Sequence, residues 1–249
     1  LALLASIVFS NLGGAREGAR VSNALSFQAQ THSLLGSDLI GWWNFNDPDA
    51  RYKDLSGYGN DGSCTSCPTA ADGVPGTMGS GMEFDGSKNI RTVNSQSSLN
   101  LNDDFTVSVW VRLSSQTTMG MVHKGNSTVR GAGLAYGYNG NGFMFISWNG
   151  SNTPYDSQKS SDLGQWNYLT GVVRDNTRYL YVNGEFVSSS SASISSWDND
   201  NDLYIGSSGN PNSYFHGFID DVRIYSRALT AREVQTLYAQ TKDRYLAER

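Results

Sequence analysis

The chain has 249 residues, a length that allows one large β domain with an appendage or two small domains. It contains 13 Tyr, 10 Phe, 6 Trp and 27 Gly but only 16% charged residues, a composition that favours an extracellular β-rich protein over a cytosolic enzyme. The formal net charge of −5 argues against a nucleic-acid partner, because no basic stripe is present to neutralise phosphates.

The first 36 residues predict a hydrophobic to amphipathic helix that serves for assembly. The chain opens on Leu-Ala-Leu-Leu-Ala-Ser-Ile-Val-Phe, and apolar residues then recur as far as Leu35 at a spacing closer to 3.6 than to 2. Nine helical residues rise only ~14 Å, which is too short for a ~30 Å hydrocarbon core. A leftover signal peptide at residues 1–9 and a frayed tail are the alternatives. The residues expected to mediate assembly are Leu1, Leu3, Leu4, Ile7, Val8, Phe9 and Leu12.

Residues 37–249 predict one mainly β domain. Short segments alternate at period 2 between turn residues, and Asn183-Gly184 is a two-residue hairpin signal, so we predict a two-sheet antiparallel jelly-roll sandwich. The segment from Asn46 to about Thr77 is expected to be a long polar loop. The predicted strands are Leu39–Phe45, Gly81–Phe84, Ile90–Val93, Phe105–Leu113, Met119–Lys124, Gly133–Tyr138, Phe143–Trp148, Trp166–Arg174, Arg178–Val182, Phe186–Ser189, Asp202–Ile205 and Phe215–Tyr225.

A short helix is predicted at the C-terminal end, over residues 230–246. Thr230 and Glu233 have the spacing of a capping box, and Val234 and Leu237 begin an apolar stripe behind it. We expect this stripe to cover one face of the sandwich or to run back along the first helix.

The chain has two cysteines, Cys64 and Cys67, which lie in a loop between Gly62 and Pro68. No second cysteine pair or close histidine pair completes a zinc site. We predict a local disulfide, which would imply an oxidising compartment; two free thiols and redox catalysis are the alternatives.

Several segments together resemble the laminin G-like, concanavalin A-like jelly roll of bacterial secreted proteins. They are LIGWWNFND with DLSGYGNDG (39–62), MEFDGSKNIRTV (82–93) with FTVSVWVRL (105–113), WNYLTGVVRDNTRYLYVNGEFV (166–187) and FHGFIDDVRIYSRALTAREVQTLY (215–238). The resemblance covers residues 39–238 and implies a sandwich fold.

The front end resembles a different family. LLASIVFSNLGGAREGARVSNALSFQAQ looks like the middle of a type IV pilin or pseudopilin helix, in which Arg16, Glu17 and Arg20 stand where such helices turn polar. The Gly/Phe processing site and the early glutamate of that family do not appear in the sequence. The resemblance implies a filament subunit that passes through the inner membrane before assembly.

The jelly-roll resemblance also implies one structural Ca²⁺, because relatives often hold this ion with oxygen ligands from three strand ends and turns. The matching positions are Asn46 or Asp47, Gly86 and Asp220, and Asp54 and Asn60 are alternative ligands. The acidic run from Asp198 to Asp202 lacks the Gly and terminal Glu of an EF-hand and is interpreted as a solvated loop.

Catalysis is not expected. Relatives that cut glucans carry Glu-x-Asp-x-x-Glu on one strand, whereas here Glu83 and Asp85 have no second glutamate after them. Glycan binding would use aromatic side chains with amide neighbours, although alternate aromatics in a sandwich are more often core residues. The candidate glycan contacts are Trp148, Asn149, Tyr136, Tyr138 and Tyr155.

These observations lead to two functional hypotheses. In the first, the chain is a subunit of an extracellular filament on the cell surface; its N-terminal helices pack into a helical homopolymer, and the laminin G-like domain is displayed to bind glycans or surfaces. In the second, the chain is a secreted or membrane-anchored lectin-like module, and residues 1–36 are only an anchor or stalk.

Overall fold

The computed structural model describes residues 36–71, 81–92, 98–101, 104–125, 131–137, 142–148, 156–157, 162–191, 201–210 and 212–246. The chain divides into two compact units, Leu1–Ser37 and Asp38–Arg249. The predicted N-terminal helix and its assembly residues from Leu1 to Leu12 lie outside the described residues. Within the described ranges, no helix has both the length and the apolar character needed to cross a membrane.

The described part of the second unit consists of antiparallel strands followed by one α-helix. The strands are β1 (Leu39–Trp43), β2 (Thr69–Ala71), β3 (Gly81–Asp85), β4 (Ile90–Thr92), β5 (Phe105–Leu113), β6 (Met119–Lys124), β7 (Gly131–Tyr136), β8 (Phe143–Trp148), β9 (Asp156–Ser157), β10 (Trp166–Arg174), β11 (Thr177–Val182), β12 (Glu185–Ser191), β13 (Leu203–Ile205) and β14 (His216–Tyr225). The helix α1 spans Ala231–Thr241, and a 3-10 turn over Lys242–Arg244 follows it.

These strands form two sheets. The larger sheet has the order β12-β11-β10-β5-β14-β3-β2, and β1 also pairs with β14; the smaller sheet has the order β4-β13-β6-β7-β8-β9. The chain crosses from the larger sheet to the smaller one between β3 and β4. The predicted two-sheet antiparallel sandwich is therefore confirmed.

The core lies between the two sheets, and the period-2 alternation of the strands accounts for it. In β5, Val107, Val109 and Val111 belong to the buried cluster that both sheets share, because alternate residues of a strand point to the same face. Phe105 of β5 meets Phe145 of β8 edge to face, with 6.2 Å between ring centroids. This packing joins the two sheets into one core.

Helix α1 covers the outer face of the larger sheet. Thr230 and Glu233 form the predicted capping box at its start. Trp110, on the face of β5 opposite to the core, stacks on Tyr245 with ring centroids 4.1 Å apart, and its Nε1–H donates to Thr241 Oγ1 (3.0 Å). The expectation that the apolar stripe covers a face of the sandwich is confirmed.

The structure differs from the sequence prediction in two short strands and in the end of the helix; strand β9 (Asp156–Ser157) was not predicted. Strand β2 (Thr69–Ala71) lies within the segment that was predicted to be a long polar loop, because β3 offers its free edge to these residues. The C-terminal helix ends at Thr241 and tightens into the 3-10 turn, whereas the prediction ran to residue 246.

Candidate functional site

A polar cavity lies beside the crossing from β3 to β4. Its volume is about 440 Å³, which is within the range typical of small-molecule sites. Hydroxyl, amide and guanidinium groups dominate its wall, so it offers mainly hydrogen-bond donors and acceptors. The wall is built from three separate segments of the chain and comprises Ser63, Cys64, Thr65, Ser66, Ser87, Asn89, Arg91 and Tyr214.

The turn after β3 forms the first part of the wall. The backbone N–H and the hydroxyl of Ser87 both donate to Asp85 Oδ1, at 3.0 and 2.7 Å, and Lys88 Nζ lies 3.0 Å from Asp85 Oδ2. These hydrogen bonds, from Ser87 first and Lys88 second, lower the pKa of Asp85 to about 2. Gly86 has a φ of +86°, a conformation that glycine adopts without strain. The ionised carboxylate therefore fixes the turn that carries Ser87 to the cavity.

The disulfide loop forms the second part. Cys64 and Cys67 are joined by a disulfide, and Ser63 just before them exchanges backbone hydrogen bonds with Arg91 in both directions, at 2.8 and 2.7 Å. A Cβ on Gly62 would lie 2.5 Å from the Ile90 side chain, so only glycine allows this close approach. The loop is thus held against the edge strand β4.

The third part is the segment before β14. Tyr214 forms an isolated β-bridge with Ser207, and its ring is half-buried. Asn89 Nδ2 donates to Ser207 Oγ (3.2 Å), so the turn after β3 and this segment share a buried hydroxyl. Because all three parts are hydrogen-bonded to the backbone or to one another, the cavity is preformed.

Arg91 supplies the charge of the cavity. Its Nε donates to Asp202 Oδ2 in an ion pair, and 52% of the Arg91 side chain is exposed against 13% for Asp202. Its backbone is fixed by Ser63 on one side and by Tyr204 of β13 on the other. Among the described residues, no side chain or carbonyl accepts a hydrogen bond from Arg91 Nη1 or Nη2, so this end of the guanidinium remains available.

A family model described as the Concanavalin A-like lectin/glucanases superfamily matches residues 84–235, which is more than half of the chain. The chain belongs to this superfamily. The match includes Asn89, Arg91 and Tyr214 of the cavity. No curated protein matches the chain.

Solved structures with the same fold include domains described as binding domains. Domain 4 of the extracellular GH43 arabinanase AbnA from Geobacillus stearothermophilus, in complex with arabinotriose, is 23% identical with a TM-score of 0.66, and the match covers 81% of this chain and 98% of that one. The binding domain of Paraclostridial Mosquitocidal Protein 1 is 19% identical with a TM-score of 0.66, covering 82% and 52%. Botulinum neurotoxin type C, whose cell entry is described as dependent on two ganglioside molecules, is 12% identical with a TM-score of 0.66, covering 84% and 52%. This superfamily member thus spans about half of each toxin chain, and the likeness shows the fold.

Two of the predicted calcium ligands are occupied by structural hydrogen bonds. Asp54 is buried and accepts from Trp42 N–H (2.9 Å), Ser56 N–H (2.9 Å), Ser56 Oγ–H (2.7 Å) and Asn60 N–H (2.9 Å). The Asn60 amide donates to Ile40 O (2.7 Å) and accepts from Ser98 Oγ–H (2.7 Å). The four hydrogen bonds occupy the acceptor sites of the Asp54 carboxylate, so none is left for a cation. Asp54 and Asn60 instead close a loop of the fold.

The other predicted ligands do not come together as expected. Gly86 N–H donates to Phe215 O, whereas Asp220 lies against Gly81, so five residues of β14, about 16 Å, separate Gly86 from Asp220. The prediction that these two residues share an ion is therefore wrong, and the strand register is the reason. Within the described ranges, no cluster of three or more His, Cys, Asp or Glu side chains is placed to hold a metal ion.

Asp220 has a structural environment of its own. It is buried at 4% exposure, accepts the Tyr245 hydroxyl (3.0 Å) on Oδ2 and accepts the backbone N–H of Asp221 on Oδ1. Burial and, next, the Asp221 charge raise the pKa of Asp220 to about 7. Asp221 is paired with Arg223 at 2.8 Å and accepts Trp42 Nε1–H.

The remaining candidates divide between the described residues and the rest. Asn46 and Asp47 follow β1; the Asp47 carboxylate accepts the exposed Asp49 N–H, and the buried Asn46 Oδ1 accepts no hydrogen bond from the described residues. A calcium site there stays a prediction.

Tyr136, predicted to contact glycan, is fully buried in the core against Phe143, because it shares a face with the core residues of β7; that prediction is wrong. The other candidate glycan contacts lie outside what the structure describes: Tyr138, Asn149, Tyr155 and the side chain of Trp148.

Sequence reasoning missed the cavity itself. Three sequence signals mark its parts: the two close cysteines, the Asp85-Gly86-Ser87 turn, and the Tyr214 aromatic beside Ser213 and Asn212. Each signal is an ordinary loop feature, and only the crossing from one sheet to the other brings the three together.

Proposed function

We propose that the jelly-roll domain binds a glycan without cleaving it and that the polar cavity is the binding site. The observation that carries this proposal is the wall itself. Five hydroxyl-bearing residues, one amide and one guanidinium surround a preformed space of about 440 Å³, and sugar hydroxyls are recognised by such donors and acceptors. Tyr214 offers an aromatic ring with a polar tip, which suits a ligand that has both C–H and O–H faces.

Two comparisons support a glycan as the ligand class. The arabinanase domain of similar fold was solved with arabinotriose, and the neurotoxin of similar fold is described through its interaction with gangliosides. Both ligands contain sugars. We infer the same class of ligand for this chain from its cavity, and the comparisons support this inference.

The carboxylates near the cavity support binding without hydrolysis. A glycosidase needs one carboxylic acid that can protonate the leaving oxygen and one carboxylate opposite to it. Asp85, which is hydrogen-bonded to the wall residue Ser87, has a pKa lowered to about 2 by Ser87 and Lys88 and therefore carries no proton to donate near neutral pH, and Asp202 is ion-paired with Arg91. Glu83 is exposed on β3, where it is paired in register with Phe218 of β14.

Titration of the full chain with a panel of oligosaccharides tests the glycan proposal. Tyr214→Ala and Asn89→Ala should each weaken binding about tenfold, which corresponds to about 1.4 kcal/mol. Tyr58→Ala, which removes an exposed tyrosine outside the cavity wall, is the matched control and should leave the affinity unchanged. If all three variants lose affinity equally, or if neither cavity substitution changes the affinity, the glycan does not bind in this cavity.

We further propose that the first 36 residues assemble the chain into a surface filament that displays this domain. The supporting observations are the apolar run at residues 1–9 and the division of the chain at Ser37. Full-length chain should give uniform filaments in negative-stain electron microscopy, whereas a chain beginning at Asp38 should give discrete particles. Ile7→Asp or Leu4→Asp should abolish filaments and leave the β domain folded. Discrete particles from both chains would instead support a secreted or membrane-anchored lectin-like module.

A further inference from the structure

The one charged residue in the cavity wall has the opposite sign to the net charge of the chain, and its counter-ion, Asp202, lies outside the wall. The net charge of the chain is −5, yet Arg91 is the single charged residue among the eight that line the cavity. Lys88, which lies between the wall residues Ser87 and Asn89 in the sequence, is bound to Asp85 through its Nζ. A ligand in the cavity therefore meets one cationic group surrounded by neutral donors and acceptors.

The orientation of Arg91 leaves a flat pair of donors available. Asp202 engages Nε, and the backbone of Arg91 is fixed by Ser63 and Tyr204. The two terminal nitrogens, which have no acceptor among the described residues, form a planar fork. Such a fork matches the two oxygens of a carboxylate, and charge-assisted bidentate pairs are stronger than neutral hydrogen bonds.

We propose that the cavity selects glycans that carry a carboxylate group and that Arg91 binds this carboxylate. The proposal rests on the glycan-binding function above and specifies its ligand class. Uronic acids, with the carboxylate at C6, and sialic acids, with the carboxylate at C1, are two kinds of sugar that contain this group. Glycans dense in sulfate fit less well, because one guanidinium that already shares a carboxylate cannot neutralise several charges.

Removing the charge of Asp202 should change the affinity for acidic glycans in the opposite direction to removing the charge of Arg91. Its carboxylate lies beside Arg91 Nε, and therefore repels a second carboxylate while it orients the guanidinium. Asp202→Asn keeps an oxygen that can accept from Nε but removes the charge. Acidic glycans should bind severalfold more tightly to this variant, and neutral glycans should bind with unchanged affinity.

The experiment compares matched pairs of sugars on the full chain. Methyl glucuronide is titrated against methyl glucoside, and sialyllactose against lactose, by following chemical shifts or heat at 20 and 500 mM NaCl. The acid of at least one pair should bind at least tenfold more tightly at low salt, and the preference should shrink at high salt because screening weakens exposed charge pairs. Which pair shows the preference identifies the source of the carboxylate.

Arg91→Gln should weaken binding of the acid far more than binding of its neutral partner, so that the preference disappears, and Arg91→Lys should restore part of it, since lysine keeps the charge but not the fork. Neutral and acidic sugars that bind equally, or a preference that survives Arg91→Gln, would overturn the carboxylate proposal while glycan binding stands. If none of the four sugars nor the wider oligosaccharide panel binds, both proposals fail. Near-ultraviolet circular dichroism of each variant confirms that the fold is retained.

Discussion

Replacing Asp54 with alanine is expected to destabilise the domain, because this carboxylate closes the loop after β1. The substitution removes four hydrogen bonds and leaves three backbone N–H groups without the acceptor they have in the native state; the two that come from outside the Asp54–Ser56 turn are those of Trp42 and Asn60. Asn60 is itself only 3% exposed. An unsatisfied buried donor costs about 1–3 kcal/mol, so the two together predict a loss of about 2–6 kcal/mol in the free energy of unfolding. That is a large part of the total stability of an ordinary domain.

Urea unfolding followed by tryptophan fluorescence measures this loss, in the presence of either CaCl₂ or EDTA. The loss should be the same in both, because we attribute it to hydrogen bonds. If Asp54 were a calcium ligand, the loss would be larger in CaCl₂ than in EDTA, because a bound ion stabilises the folded state only when calcium is present. Asp47→Ala, compared in EDTA, where its own candidate ion is removed, is the control; the position is exposed with one solvent-accessible hydrogen bond, so stability should change by about 0.5 kcal/mol at most. A loss that EDTA abolishes, or one below about 1 kcal/mol, would refute the reasoning.

Three further predictions concern other parts of the domain. Burial and the Asp221 charge raise the pKa of Asp220 to about 7. Between about pH 4 and 7 the folded state therefore holds a proton that the unfolded state has released. The free energy of unfolding should fall as the pH rises through this range, by at most about 1.4 kcal/mol per pH unit. This slope should be absent from Asp220→Asn in thermal unfolding measured across that window. Trp110→Ala should cost about 3–5 kcal/mol in urea unfolding, since the indole fills the contact between β5 and α1. Reduction of the Cys64–Cys67 disulfide should lower stability by about 2 kcal/mol, the value for so short a loop, and should weaken glycan binding in the same titration.

The long strands could be predicted from the sequence because their alternation is strong. The predicted bounds of Phe105–Leu113, Met119–Lys124 and Trp166–Arg174 agree with β5, β6 and β10. The hairpin at Asn183-Gly184 also forms as predicted, with positive φ at both residues, which its turn type requires. Two strands were missed, Thr69–Ala71 and Asp156–Ser157. With three and two residues they are too short to show a period, and their partner strands determine them.

The candidate site could not be predicted because it depends on distance in space. Ser63, Arg91 and Tyr214 are separated by 28 and then 123 residues, and a single sequence contains no signal that pairs them. For Tyr136, the sequence indicated a binding residue where the structure has a core residue. Its glycine and asparagine neighbours resemble a sugar-binding loop, but the alternation of β7 places its ring with Ala132 and Leu134 in the core. Residue type alone cannot separate an aromatic platform from a core aromatic.

The position of the cavity follows from how the faces of the larger sheet are used. One face is packed against the smaller sheet, and α1 covers the other around Trp110 and Asp220. These parts of both faces are committed to packing, and the polar groups of the cavity come instead from segments that connect strands and from the edge strand β4. The three segments around Arg91 are such connections, and each is tied to a neighbouring strand or segment by hydrogen bonds. A cavity fixed in this way needs little ordering when a ligand enters, so a few polar contacts can yield measurable affinity.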